Sequence, residues 1–463
     1  STFWCGIIVG YEGEDILLNE VDKKIINELE GKITENPLYL DFLGENTKYY
    51  THGFHSYPAM MIPQIAKEFI ELTIKYLPSV KNIYDPFMGS GTTLVEGITH
   101  NLHVFGNDVN PLSLLMSKVK TNPIDPMYLE NEVRNLKDNI NDLFFFYREG
   151  RYRIENIPNF DRINFWFKDY VIELLQLVKN CILNVKDEDL RNFYFATFSE
   201  TVRYVSNTRN SEFKLYRISP EKLDDWNPDV IATFFNFLDR NMQGNASLFS
   251  KLEEINNLNP AVVVKQESSM ENIEMHTNTM DMLVTSPPYG DSKTTVAYGQ
   301  FSRLSLQWLD LEINESTKLN QLDNIMLGGK VDKSIDVEKI LENLQSKTLD
   351  KIYHKIRLVD EKRAREVLQF YIDLDRTIAK ITEMMKRGSY QYWVVANRTV
   401  KKVNIPTDLI IAELFAKYNV AHLHSFYRNI PNKRMPSRNS PTNKIGDHSV
   451  TMTVEIILML RKM

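Results

Sequence analysis

The sequence predicts an α/β protein built on a doubly wound parallel sheet that carries a large, mostly helical insertion. Three observations lead there. A strand, a glycine-rich turn and a helix run from Val80 to His100, and a strand, an acidic residue and a helix follow as far as Lys120, which is how an alternating sheet opens. From Asn122 to about Asn259 the alternation stops, and segments rich in Phe, Tyr, Asn and charge read as helices. It resumes at Ala261 and continues towards Met463.

Residues 1–50 mix short apolar and acidic stretches and show no legible function. Apolar side chains at Ile62, Ile65, Ala66, Phe69, Ile70, Ile74 and Leu77 then trace one face of a helix, with Pro63 in the first turn, where a missing N–H costs nothing. Val80 to Tyr84 is an apolar strand running into DPFMGSGTT (Asp85 to Thr93), and LVEGITH continues as a helix. A second strand, HVFGND, ends at Asp108; Asn110 and Pro111 form the N-cap and first residue of the next helix. Beyond the insertion, AVVVKQ (Ala261 to Gln266) and the run from Met280 into TSPPYG read as two more strands. The polar stretch from Leu311 to Glu361 reads as a second insertion or a mobile segment. Val367, Tyr371, Leu374, Ile378, Ile381 and Met385 share a helical face, and Gln391 to Arg398 is a strand. Two strand-like runs, AHLHSFYRNI and VTMTVEIILMLRK, flank a basic, proline-containing loop near the C-terminus.

With 463 residues, 43% hydrophobic and 25% charged, the chain can bury a large core, and its composition excludes disordered, collagen-like and rod classes. The two cysteines, Cys5 and Cys181, exclude a disulfide framework and point to a cytoplasmic setting. No apolar run approaches the roughly 20 residues that cross a bilayer, and no basic, cleavable signal is read, so no membrane partner is expected. A net charge of -6 means that any nucleic acid must be held by local basic patches.

DPFMGSGTT has no lysine after its glycines and is therefore not a P-loop. A glycine turn between strand and helix lets backbone approach a ligand, and an acidic residue ending the next strand can accept hydrogen bonds from ribose hydroxyls. The alternative for this segment is a plain tight turn beside a solvated Asp108. TSPPYG ends an apolar strand with two prolines, which stop sheet pairing and make a rigid turn. That turn offers the Ser286 hydroxyl and the Pro287 carbonyl as acceptors, with the Tyr289 ring as a stacking surface. Acceptors placed on the hydrogens of an exocyclic nucleobase amine favour a more tetrahedral, more nucleophilic nitrogen. The alternative is a structural strand end with a core tyrosine.

Together, and in this order, the two motifs resemble those of S-adenosylmethionine-dependent DNA amino-methyltransferases of the cytosine-N4 and adenine-N6 type, whose patterns are DPFxGSGTT and (D/N/S)PPY. THGFHSYPAMMIP (Thr51 to Pro63) is similar to the segment that closes over the methionine end of the cofactor in that family. The resemblance covers about residues 51–121 and 261–463. It implies a Rossmann-like methyltransferase domain formed by residues 51–121 and 260–463, with an antiparallel C-terminal strand and a helical insertion at 122–259 as candidate target-recognition region. It implies that Asp85, Phe87, Gly89, Ser90 and Gly91 surround the methionine moiety, that Asp108 takes the ribose, and that Tyr57 and Pro58 wall the pocket. Glu267 and Ser268 stand where the family contacts adenine, although its usual Asp is absent, and Thr285 is placed on the cofactor side of the turn. Ser286, Pro287, Pro288 and Tyr289 match the catalytic motif, and serine in its first position resembles the cytosine-N4 branch.

The resemblance also implies double-stranded DNA as partner, a base flipped from the stack, and a restriction–modification or defence setting with a possible cognate endonuclease. Two basic stretches are candidate DNA contacts: Arg428, Lys433, Arg434 and Arg438 in the C-terminal loop, and Arg203, Arg209 and Lys214 among aromatics in the insertion. No cysteine follows a proline, which disfavours cytosine-C5 chemistry, and the nine histidines show no metal-pair spacing, so no metal is expected. Adenine-N6 methylation, methylation of an RNA amine and a non-catalytic recognition subunit stand as alternatives.

Overall fold

The computed structural model describes residues 18–210, 212–271, 277–291, 295–312, 318–332, 334–430 and 454–463, and the backbone of two-residue strands at 8–9, 15–16, 438–439 and 449–450. Its centre is a seven-stranded sheet: β1 (Asn82–Asp85), β2 (His103–Asn107), β3 (Val262–Lys265), β4 (Met280–Thr285), β5 (Met385–Val395), β6 (Val420–Asn429) and β7 (Val454–Lys462). The spatial order is β6-β7-β5-β4-β1-β2-β3. Neighbours from β5 to β3 run parallel, whereas β7 is antiparallel to both β5 and β6. The expected doubly wound sheet with an antiparallel C-terminal strand is therefore present.

Helices cover both faces, which is why Ile83, Tyr84, Met282, Leu283 and Val284 in the central strands are all buried. On one face lie α1 (Glu20–Glu35), α2 (Pro63–Tyr76) and α3 (Thr92–Thr99). Pro63 opens α2, and α4 (Pro111–Thr121) begins with Asn110 accepting from the Leu112 N–H, as the sequence predicts. The insertion is helical: α5 (Pro126–Arg148), α6 (Asp169–Leu183), α7 (Glu188–Val205) and α8 (Val230–Glu254) share a core with Phe54 and with Leu304 and Trp308 of α9 (Tyr298–Leu309). It is thus welded to the sheet domain rather than tethered to it.

Three expectations change. Residues 311–361 hold, among their described part, α10 (Val337–Leu344) and α11 (Lys347–Arg357), whose Leu341, Leu344, Leu349, Ile352 and Ile356 pack with α12 (Glu361–Met384) and α13 (Thr407–Ala416) on the opposite face. Each of these short helices exposes a wide polar side, so average composition hides its apolar stripe. β5 starts at Met385 rather than Gln391, because the polar Lys386 and Arg387 extend the strand past the covered part of the sheet, and Arg398 falls in a separate short strand paired with 403–405. Residues 18–50 are part of the body: Asp22 of α1 accepts from the Tyr390 hydroxyl at 2.6 Å and pairs with Arg461 at 2.9 Å.

Candidate active site

Loops leaving the carboxyl ends of β1 to β4 enclose one cleft of about 820 Å³, its open mouth included. It lies beside β1, where the strand order reverses and where such sheets bind ligands.

The β1 loop needs its glycines. Gly89 and Gly91 have φ of +47° and +79°, a region that costs residues with a Cβ about 1–2 kcal/mol. A Cβ on Gly89 would also press on the Tyr57 ring at 3.3 Å, and one on Gly91 would meet Ser117 Oγ at 3.0 Å. Asp85 is buried, and its Oδ1 accepts from the Phe87 N–H at 3.0 Å and the Thr285 hydroxyl at 2.6 Å. Burial nevertheless pushes its carboxyl up to about 6. Thr285 is itself fully buried behind Asp85 and does not line the cleft, so it touches the site only through that carboxylate.

At the end of β2, Asp108 accepts from Gly89 N at 3.1 Å and Asn110 N at 2.9 Å, and burial pushes it up to about 6 as well. The Asn110 amide donates to the Tyr57 hydroxyl at 3.0 Å and to Ser302 Oγ at 2.7 Å, while Ser113 donates to the same Tyr57 hydroxyl at 3.0 Å. The cap of α4 therefore also fixes the aromatic wall over Gly89. Pro58, Phe87, Ser90, Glu267 and Ser268 all line the cleft. Asn107 holds the β3 loop by donating to the Glu267 carbonyl at 3.2 Å and to Ser269 Oγ at 2.9 Å. Glu267 pairs with Lys265 through one oxygen at 3.7 Å, and its other oxygen is buried with no hydrogen-bond partner.

The turn after β4 brings Ser286 and Pro288 to the cleft, with Pro287 buried behind them. Ser286 Oγ is 3.4 Å from the Tyr289 hydroxyl, which donates to Glu455 Oε1 at 3.0 Å. Burial, and after it the Glu455 charge, push the Tyr289 phenol well above its usual range, so it keeps its proton. A cofactor with ribose hydroxyls, an adenine amine and a cationic sulfonium fits these residues: Asp85, Asp108 and Glu267 line the cleft, and one Glu267 oxygen lacks a donor.

Sequence reasoning missed a whole wall. Tyr298, Ile325, Met326 and Leu327 line the cleft from the segment between β4 and β5, and Tyr298 faces Tyr57 with ring centroids 5.7 Å apart. The only available signal was an aromatic opening an amphipathic helix, which is common in cores. Among the described residues no cluster of three or more His, Cys, Asp or Glu side chains is placed to hold a metal, and no helix is long and apolar enough to cross a membrane.

The basic residues divide. Arg203 is buried with its guanidinium 4.2 Å over the Phe301 ring, donating to the Phe301 carbonyl at 3.3 Å and to the Glu212 carbonyl. Arg428 is buried against Glu455 at 2.5 Å. As placed, neither presents charge to a phosphate, because burial and these acceptors consume their donors. Arg209 is exposed beside Glu212 at 3.2 Å, and Lys214 is half-buried. The side chains of Lys433, Arg434 and Arg438 lie outside the described residues.

Residues 63–225 match the family model of the D12 class N6 adenine-specific DNA methyltransferases. The chain is 59% identical over 445 residues to the Type II methyltransferase M.MvaI of Kocuria varians, covering 96% of this chain and 98% of that protein. It is also 32% identical over 105 residues to the Type II methyltransferase M.MjaII of Methanocaldococcus jannaschii, covering 21% of this chain and 19% of that protein.

Proposed function

We infer that this chain, which belongs to the Type II methyltransferases and is an S-adenosylmethionine-dependent DNA amino-methyltransferase, methylates the N4 amine of a cytosine turned out of duplex DNA, as the modification arm of a restriction–modification system. The observation that carries the base assignment is the turn at Ser286: a hydroxyl at the cleft wall, where an amine would sit, 3.4 Å from the Tyr289 hydroxyl. A serine there is neutral and accepts from an amine hydrogen without bringing a carboxylate to the base.

S-adenosylmethionine supplies, when bound, an electrophilic methyl group on a sulfonium. The chain's own residues do the rest. Asp108 accepts from ribose hydroxyls, Glu267 and Ser268 face the adenine, and the Asp85 to Gly91 turn surrounds the methionine end beneath Tyr57. Ser286 Oγ and the Pro287 carbonyl accept the amine hydrogens and favour the pyramidal, nucleophilic nitrogen. Unpairing the base costs a few kcal/mol, of which stacking on Tyr289 returns about 1–3 kcal/mol. Arg209, Lys214 and the basic loop holding Lys433, Arg434 and Arg438 are the proposed backbone contacts.

Adenine-N6 is the second reading, favoured by the D12 match. That match spans the cofactor half and part of the insertion, and the TSPPYG turn that meets the base lies beyond it. Incubation with labelled S-adenosylmethionine and genomic DNA, followed by mass spectrometry of the nucleosides, tests the choice. N4-methylcytosine supports the proposal, and N6-methyladenine replaces it. Label in RNA, or nowhere, refutes both.

A further inference from the structure

We propose that Glu455, clamped by Arg428, is a positioning residue that sets the direction of the Tyr289–Ser286 hydroxyl pair, so that Ser286 turns its lone pairs towards the target amine. The inference rests on the function proposed above, for either base. A phenol has one proton to give. Tyr289 gives it to Glu455 Oε1 at 3.0 Å, so towards Ser286, 3.4 Å away, it acts as acceptor. The Ser286 proton then points at Tyr289, and its lone pairs are left for the cleft that Ser286 lines. Reverse the chain and the serine presents a proton to the amine, which opposes the chemistry.

The clamp is built into the sheet. Arg428 and Glu455 stand opposite each other in the β6–β7 register, and Arg428 holds the other Glu455 oxygen at 2.5 Å. Arg428 Nε donates to the Leu40 carbonyl at 3.0 Å, and the neighbouring Asp41 accepts from Asn429 N at 2.7 Å and its side-chain amide at 3.0 Å. The segment before the catalytic domain thus reaches the reacting turn through one arginine. A buried ion pair of this kind is weak evidence for stability, so its worth has to be sought in what it orients.

The test is a cycle of Glu455→Gln, Tyr289→Phe and the double variant, read as kcat and KM for methyl transfer to duplex DNA. Glutamine keeps the shape but can donate to the phenol. Glu455→Gln should lower kcat about tenfold, the worth of one oriented hydrogen bond, with KM for S-adenosylmethionine unchanged. In the Tyr289→Phe background the same change should do nothing further. An equal fall in both backgrounds, or a rise in KM for S-adenosylmethionine, overturns the inference and leaves Glu455 a purely structural residue. If melting curves show Glu455→Gln to be poorly folded, Tyr289→Phe alone decides, since it keeps the ring and removes the hydroxyl: undiminished kcat overturns the proposal. Wild-type product on adenine instead of cytosine overturns the base assignment alone, and non-additivity on that amine still supports this inference.

Discussion

Replacing Asp85 by Asn should make the unliganded protein more stable at neutral pH while weakening its hold on the methyl donor. The hydrogen bonds from Phe87 N and Thr285 Oγ1 fall on Oδ1, which asparagine retains, and the carboxyl's third partner, the Thr93 hydroxyl, donates to the Val284 carbonyl and so can accept from the new amide. What changes is the buried charge. Burial raises the carboxyl from 3.8 to about 6, so the folded chain holds the proton more tightly than the unfolded one. The stability tied to this group is complete below about pH 4, falls as pH rises through about 6, and is fully lost above. Going from 3.8 to about 6 corresponds to about 3 kcal/mol. Asp85→Asn should therefore gain up to about 3 kcal/mol at pH 7.5 and about half as much at pH 5, and relief of the small repulsion from Asp108 acts in the same direction. Denaturant unfolding of both proteins at the two pH values measures the difference. Calorimetric titration should show S-adenosylmethionine binding about 10–100-fold weaker, the loss of one charged contact. A variant less stable at pH 7.5, or a difference independent of pH, would refute the reasoning.

In the wild type, affinity for S-adenosylmethionine should drop as pH falls through about 6, where Asp85 and Asp108 both take up protons; a flat profile from pH 7.5 to 5 counts against their roles. Ser286→Ala should cut kcat with little change in cofactor binding, and Asp108→Ala should do the opposite, so the reverse pattern in paired kinetics and calorimetry exchanges their assignments. Gly290→Ala should cripple transfer, because its Cβ would fall 2.0 Å from the buried Arg398 guanidinium, which its ion pair with Asp291 holds in place; full kcat would show that the turn or the guanidinium can move. Joint replacement of Lys433, Arg434 and Arg438 by Ala should weaken DNA binding and flatten its dependence on salt, and an unchanged slope removes that loop from the interface.

What was legible in the sequence is what the local backbone demands. Gly89 and Gly91 announce a left-handed turn, Asn110–Pro111 a capped helix, and Ser286 to Tyr289 a rigid strand end; each of these features sits within a few residues of its cause. Gly89, Ser286 and Pro288 line the cleft, Asn110 holds its Tyr57 wall, and Gly91 and Tyr289 stand behind the lining. The parallel sheet was implied by alternation, and the structure adds the strand order and the register. The wall formed by Tyr298 and Met326 was illegible because an apolar side chain facing a ligand and one facing a core have the same pattern until the neighbouring helices are placed. The basic stretches misled for a related reason: charge in a sequence says nothing of which acceptors will fold over it, and Arg203 and Arg428 meet carbonyls and a carboxylate instead of solvent. Glu455 is the hardest case. It lies 166 positions from Tyr289, next to the first residue of a strand whose apolar run, Ile456 to Leu460, follows it, and a lone acid there reads as a strand-end charge. Only the β6–β7 register, which sets it opposite Arg428, turns it into an acceptor aimed at the reacting turn. A motif can thus name the groups that meet the substrate, while the direction of their protons is decided by partners that no motif contains.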